Sequence, residues 1–126
     1  MDLHWNEKTI LVVDDTKVNY ILIKTQLRKT GANIIWLENG QEAVEYIKNN
    51  TADLIVLDMI MDPGMDGLET YKKILEYRPH QKAIIASGFS ETWRVKEAQR
   101  LGAGEYVKTP YTIEKIGQAV MAELNR

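Results

Sequence analysis

The chain has 126 residues, 44% hydrophobic and 27% charged, with 18 acidic against 16 basic side chains and a formal net charge of −2. That length suits one domain with its own core, the composition is that of a folded globular protein, and the near balance of charge gives no footprint for nucleic acid or an anionic membrane. With no cysteine, a disulfide framework, a thiolate metal site and a cysteine nucleophile are all excluded. The opening residues carry no signal-peptide pattern and no apolar run reaches bilayer length, so the expectation is a single cytoplasmic domain over residues 1–126.

In chain order, residues 10–13 form a short apolar, β-branched run, and the stripe Val18, Ile21, Leu22 after it predicts a helix that Gly31 would end. Residues 34–37 make a second strand and Ala43, Val44 and Ile47 a second helix, with Asn39 and Glu42 spaced as a capping box. The third strand, 54–57, precedes the stripe Leu68, Tyr71, Leu75, where Asp66 and Glu69 repeat that capping pattern. Residues 83–86 lead to a looser stripe of Val95, Ala98 and Leu101, with Ser90 as its cap and Gly102 as its stop. The last pair is 106–107 with Ile113, Ile116 and Val120, capped by Thr112. Four of the five runs are nearly continuous rather than alternating, as in strands of a parallel sheet buried on both faces. Strict alternation of strand and helix then predicts a (βα)5 α/β domain with helices on both faces of the sheet.

In open α/β sheets ligands sit beyond the carboxyl ends of the strands, so the residues that end each run carry the functional reading. The first run ends in Asp14 and Asp15, the third in Asp58, the fourth in Ser87 and Gly88, and the fifth in Lys108, Thr109 and Pro110. Three carboxylates at one rim repel one another unless compensated, and Mg2+ accepts carboxylate and phosphate oxygens together. An aspartate beside Mg2+ also serves as a nucleophile that forms an acyl phosphate. Ser87 then offers a hydroxyl to a phosphoryl oxygen, and Gly88 leaves room for close approach. The competing reading has each acid capping the helix that follows. It suits Asp15 beside Thr16, but Asp58 stands several residues before its helix. Dinucleotide, P-loop and nucleophile-elbow motifs are absent from the sequence, and His4 and His80 belong to no metal-ligand spacing.

These residues resemble the receiver domain of two-component response regulators. The matching pieces are Ile10-Leu-Val-Val-Asp-Asp15, Asp53-Leu-Ile-Val-Leu-Asp58, Met65-Asp-Gly-Leu68, Ile84-Ile-Ala-Ser87 and Leu101-Gly-Ala-Gly-Glu-Tyr-Val107 with Pro110, in the family's order over nearly the whole chain. The resemblance implies a three-layer, flavodoxin-like fold with strand order 2-1-3-4-5. It makes Asp58 the phosphoacceptor, Asp15 a direct Mg2+ ligand, Asp14 a ligand through water, and the carbonyl of Ile60 the remaining protein ligand. Ser87 and Tyr106 would be the switch pair. A sensor histidine kinase or phosphotransfer protein would be the donor, and a protein output partner would bind the face of the fourth helix, fifth strand and fifth helix, with no nucleic acid or membrane involved. Such a domain assists its own phosphorylation and dephosphorylation and is not a conventional enzyme.

Two positions depart from the family pattern. The lysine that normally precedes the last-loop proline is Thr109 here, with a lysine one place earlier at Lys108. Strand alternation would turn Thr109 toward the site and Lys108 away from it, whereas a local bulge would bring Lys108 back. Thr109 thus supports a second reading, a degenerate receiver that binds partners without efficient phosphorylation. The loop after Asp58 is one residue longer than usual, which adds Asp62 ahead of the Pro63-Gly64 turn. Trp93 falls with Glu97 and Arg100 on the charged side of the fourth helix, either as an ordinary exposed aromatic or as a contact residue. A Mg2+-dependent phosphatase using Asp58 would want a second carboxylate where Ile60 stands. The chain ends soon after the fifth helix, so the expectation is a stand-alone receiver or a piece of a longer hybrid kinase or regulator.

Overall fold

The computed structural model describes residues 5–59, 66–87, 93–108 and 113–125. Within them strands and helices alternate as β1 (Thr9–Val13), α1 (Lys17–Leu27), β2 (Asn33–Leu37), α2 (Gly40–Asn49), β3 (Leu54–Asp58), α3 (Gly67–Tyr77), β4 (Ala83–Ser87), α4 (Trp93–Arg100), β5 (Tyr106–Lys108) and α5 (Ile113–Leu124). All pairings are parallel and the sheet order is β2-β1-β3-β4-β5, the expected flavodoxin-like arrangement. The chain winds outward from β1 to β2 and then crosses back over β1 to β3. This reversal creates the crevice beyond the strand ends at which such sheets bind ligands.

The period of two along each strand divides the core. Leu11 and Val13 join Ile55, Leu57, Tyr71, Ile74 and Val95 on the α2–α4 side. Ile10 and Val12 join Ile23, Leu27, Val56, Ile84, Ile116 and Val120 on the α1–α5 side. Every residue from Ile10 to Val13 is fully buried, and a strand covered on both faces has no reason to alternate with polar residues.

The helix starts follow their sequence signals. The Asn39 side chain accepts from the Glu42 N–H at 2.9 Å, and the Asp66 side chain accepts from the Glu69 N–H at 2.9 Å. The Glu42 carboxylate turns back one residue further than a strict capping box, accepting from the Glu38 N–H at 2.9 Å. Gly31, after a 3-10 turn at Arg28–Thr30, and Gly102, after α4, both adopt positive φ, at 79° and 125°. The caps assigned to Ser90 and Thr112 lie outside the described residues. Among the described residues no helix is long and apolar enough to cross a membrane.

α1 presents a different face from the predicted stripe. Ile23 and Leu27 enter the core at 0% and 3% exposure, while Val18 and Ile21 stand 61% and 48% exposed and Leu22 is half-buried. Apolar residues occur on several sides of this helix, so periodicity does not select a face; packing against the sheet and α5 does. Ile23→Ala is therefore expected to cost about 2–5 kcal/mol in urea denaturation, and Ile21→Ala less than about 1 kcal/mol.

Candidate functional site

β1 and β3 are neighbours in register, with Val13 level with Leu57, so the residues that follow them meet at one rim. One carboxylate oxygen from each of Asp14, Asp15 and Asp58 lies within 4.8 Å of the others. Asp14 is buried, Asp58 half-buried and Asp15 exposed.

Asp14 is held by both its backbone and its carboxylate. Its N–H donates to the Leu37 carbonyl at 3.1 Å, extending the ladder with β2. Its carbonyl accepts from the Trp36 indole Nε1 at 2.8 Å. One carboxylate oxygen accepts the Thr16 N–H at 2.8 Å and the other the Asn19 side-chain amide at 2.9 Å. Burial pushes the Asp14 carboxyl above its ordinary value and the Asp15 charge adds to that shift, against the opposing pull of Thr16 and Asn19. Stability contributed by this group is thus present below the ordinary carboxylate pKa and lost as pH rises through the raised one. Ionised, Asp14 calls for a nearby positive charge, and three hard carboxylate oxygens are a donor set that fits Mg2+.

Helix capping does not account for these acids. The N-cap of α1 is Thr16, without a side-chain cap bond, and that of α3 is Asp66. Asp15 accepts the Thr16 hydroxyl at 3.3 Å.

α3 reaches the rim because residue 67 has no side chain. Met59 N–H donates to Ala86 O at 2.8 Å and Gly67 N–H to Met59 O at 2.9 Å, while a Cβ on Gly67 would collide with the Asp58 carbonyl and come 2.7 Å from Met59 Cα. Close approach, not backbone torsion, demands this glycine. Asp66, besides capping α3, accepts from Arg94 Nε at 3.1 Å, which ties α4 to the start of α3. Arg94 also lies 5.1 Å from the centre of the Trp93 ring, and Trp93 is 65% exposed, on the solvent side as expected.

At the other strand ends, Ser87 is level with Lys108 across β4 and β5, and of these two residues the backbone alone is described. Tyr106 is level with Ile85 and half-buried against the α2–α4 core, whereas Val107 packs into the α1–α5 core. Ile60, Gly88 and Thr109 lie outside the described residues, as do His4, Asp62, Pro63, Gly64 and Pro110. His80 is exposed in the loop between α3 and β4, at the amino end of the strands. The sequence reading missed Asn19, Trp36 and the steric need for Gly67. Asn19 was within reach, standing five residues after Asp14 in the first turn of α1; Trp36 arrives from another strand, and no local spacing announces it.

Residues 10–121 match the model of the response regulator receiver domain family, and the chain belongs to that family. It is 32% identical over 117 residues to chemotaxis protein CheY of Bacillus subtilis (strain 168), covering 92% of this chain and 97% of that protein. It is 34% identical over 115 residues to sporulation initiation phosphotransferase F of the same organism, with 91% of each chain covered. Among solved structures, a chain of the CheX-CheY-BeF3-Mg+2 complex from Borrelia burgdorferi superposes with a TM-score of 0.83 at 30% identity, covering 91% of this chain and 87% of that one. The protein is thus a receiver domain of two-component systems with an acidic pocket of Asp14, Asp15 and Asp58.

Two substitutions probe this geometry. Gly67→Ala forces α3 off the rim and is expected to lower unfolding stability by about 1–3 kcal/mol in thermal or urea denaturation. Asp15→Asn removes one of three like charges and is expected to stabilise the protein by about 1 kcal/mol in EDTA-containing buffer, read as a higher melting midpoint.

Proposed function

We propose that residues 1–126 form a single phosphoacceptor domain in which Asp58 takes a phosphoryl group from a phosphohistidine and a protein partner reads the change. The observation that carries this reading is the convergence of Asp14, Asp15 and Asp58 at the carboxyl rim of the sheet. The donor is a sensor histidine kinase or a phosphotransfer protein, in keeping with the family. Similarity to a chain in a complex named for CheX, CheY, BeF3 and Mg2+ supports both the metal and a protein output partner.

Asp15 and Asp58 would hold Mg2+ directly, together with the Ile60 carbonyl, and Asp14 through water. Bound there, Mg2+ supplies charge neutralisation for the carboxylates and for the incoming phosphoryl oxygens. A carboxylate oxygen of Asp58 attacks phosphorus in line, the bond from phosphorus to the donor imidazole nitrogen breaks, and that nitrogen keeps the electron pair and takes a proton from solvent. The product is an acyl phosphate on Asp58. Ser87 donates its hydroxyl to a phosphoryl oxygen, Gly88 leaves the backbone open for it, and the fifth strand end contributes Thr109 or Lys108. The added charge then biases the face of α4, β5 and α5, where Tyr106 acts as the switch and Trp93 stands exposed for a partner. The domain catalyses only its own phosphorylation and dephosphorylation.

Incubation with acetyl phosphate and Mg2+ is expected to add one phosphoryl group by intact mass, and EDTA or Asp58→Asn to abolish it. An unmodified protein that also shows no spectral response to beryllofluoride would sink the proposal. The missing lysine before Pro110 favours a second reading, a degenerate receiver. Thr109→Lys separates the two: a large gain in phosphorylation yield supports impairment in the natural chain, and an unchanged yield assigns the positive charge to Lys108 or another group.

A further inference from the structure

We infer that Trp36 is a positioning residue for the acidic pocket, its indole N–H setting the peptide plane between Asp14 and Asp15 so that both side chains meet a divalent cation. The inference rests on the metal-site reading above and adds to it a residue from the edge strand of the sheet.

Trp36 is level with Val12 in the parallel pairing of β1 and β2. The ladder continues one step past β1, with Asp14 N–H donating to Leu37 O at 3.1 Å. In a parallel ladder the next donor, for the Asp14 carbonyl, would be the backbone N–H of Asn39. Asn39, however, has left β2 to cap α2. The Trp36 indole takes that place, donating to the Asp14 carbonyl at 2.8 Å. A side chain thus completes the ladder at the residue where the pocket begins.

The indole is itself held in place. Tyr20 of α1 stacks on Trp36 with ring centres 5.6 Å apart and planes 12° from parallel, and Lys24 lies 5.6 Å from the centre of the Tyr20 ring. The residue before Tyr20 is Asn19, which donates to the Asp14 carboxylate at 2.9 Å. Consecutive residues of α1 therefore secure the two ends of Asp14: Asn19 its carboxylate directly, Tyr20 its carbonyl by way of Trp36. Asp15 needs such help from its neighbour, because it is exposed and the hydrogen bond it accepts from the Thr16 hydroxyl is long, at 3.3 Å. Its position depends on the peptide plane that Trp36 orients, and groups behind metal ligands characteristically govern affinity in this way.

Trp36→Phe keeps an aromatic ring against Tyr20 and removes the donor. Titration of metal-free protein with Mg2+ by calorimetry is expected to show about five-fold weaker binding for this variant. Its melting midpoint in EDTA falls whether Trp36 positions the pocket or only supports the fold, so a second measurement is made on the unsubstituted protein. The Trp36 indole N–H resonance, assigned with Trp5→Phe and Trp93→Phe variants, is expected to move during the Mg2+ titration and saturate with the calorimetric affinity. Either an unchanged affinity in a folded Trp36→Phe or an indole resonance that stays still to saturation overturns the inference alone. Absence of Mg2+ binding by the unsubstituted protein overturns the metal-site reading, and the inference with it.

Discussion

Three carboxylates with oxygens within 4.8 Å of one another place repulsion inside the folded chain, and one of them, Asp14, is buried where water screens it least. Hydrogen bonds from Thr16, Asn19 and Trp36, with the bond from Asp14 to Leu37, hold that residue in place without cancelling its charge. Burial still raises its carboxyl pKa, and the Asp15 charge adds to that shift. In the receiver family to which the chain belongs, Mg2+ occupies such an acidic pocket. The geometry of Asp14 is thus a consequence of folding, and the three acids it joins form a donor set that fits Mg2+.

The sheet order is what concentrates these acids. Because β1 and β3 are adjacent and parallel, Asp14, Asp15 and Asp58 emerge at the same edge, on both sides of the point where the winding reverses. The helices are then seated against that edge. Gly67 lets α3 touch the backbone of Asp58 and Met59, Asp66 caps α3, and Arg94 of α4 binds the same Asp66 carboxylate. Asp58, the start of α3 and α4 are consequently consecutive contacts.

Much of this was legible along the chain because the relevant interactions are local. Continuous β-branched runs marked strands buried on both faces, and Asn39–Glu42 and Asp66–Glu69 marked helix starts within one turn. Gly31 and Gly102 marked two places, among the described residues, where the backbone adopts positive φ. The acids of the pocket were legible too, since each ends a strand. The face of α1 was not. With Val18, Ile21, Leu22, Ile23 and Leu27 all apolar, the choice depended on which side meets the sheet, and that is set by neighbours distant in sequence.

The same division runs through the site. The amino-acid sequence by itself determined the alternation of strands and helices, the caps, and the identity of the acids at the strand ends, because spacing along one chain suffices for each. Only the tertiary structure decided that Asp14 is buried and Asp15 exposed, that Asn19 and Trp36 grip Asp14 from different elements, and that Gly67 must lack a side chain. Those facts depend on cross-strand register and on the distance between packed backbones, which no run of neighbouring residues encodes.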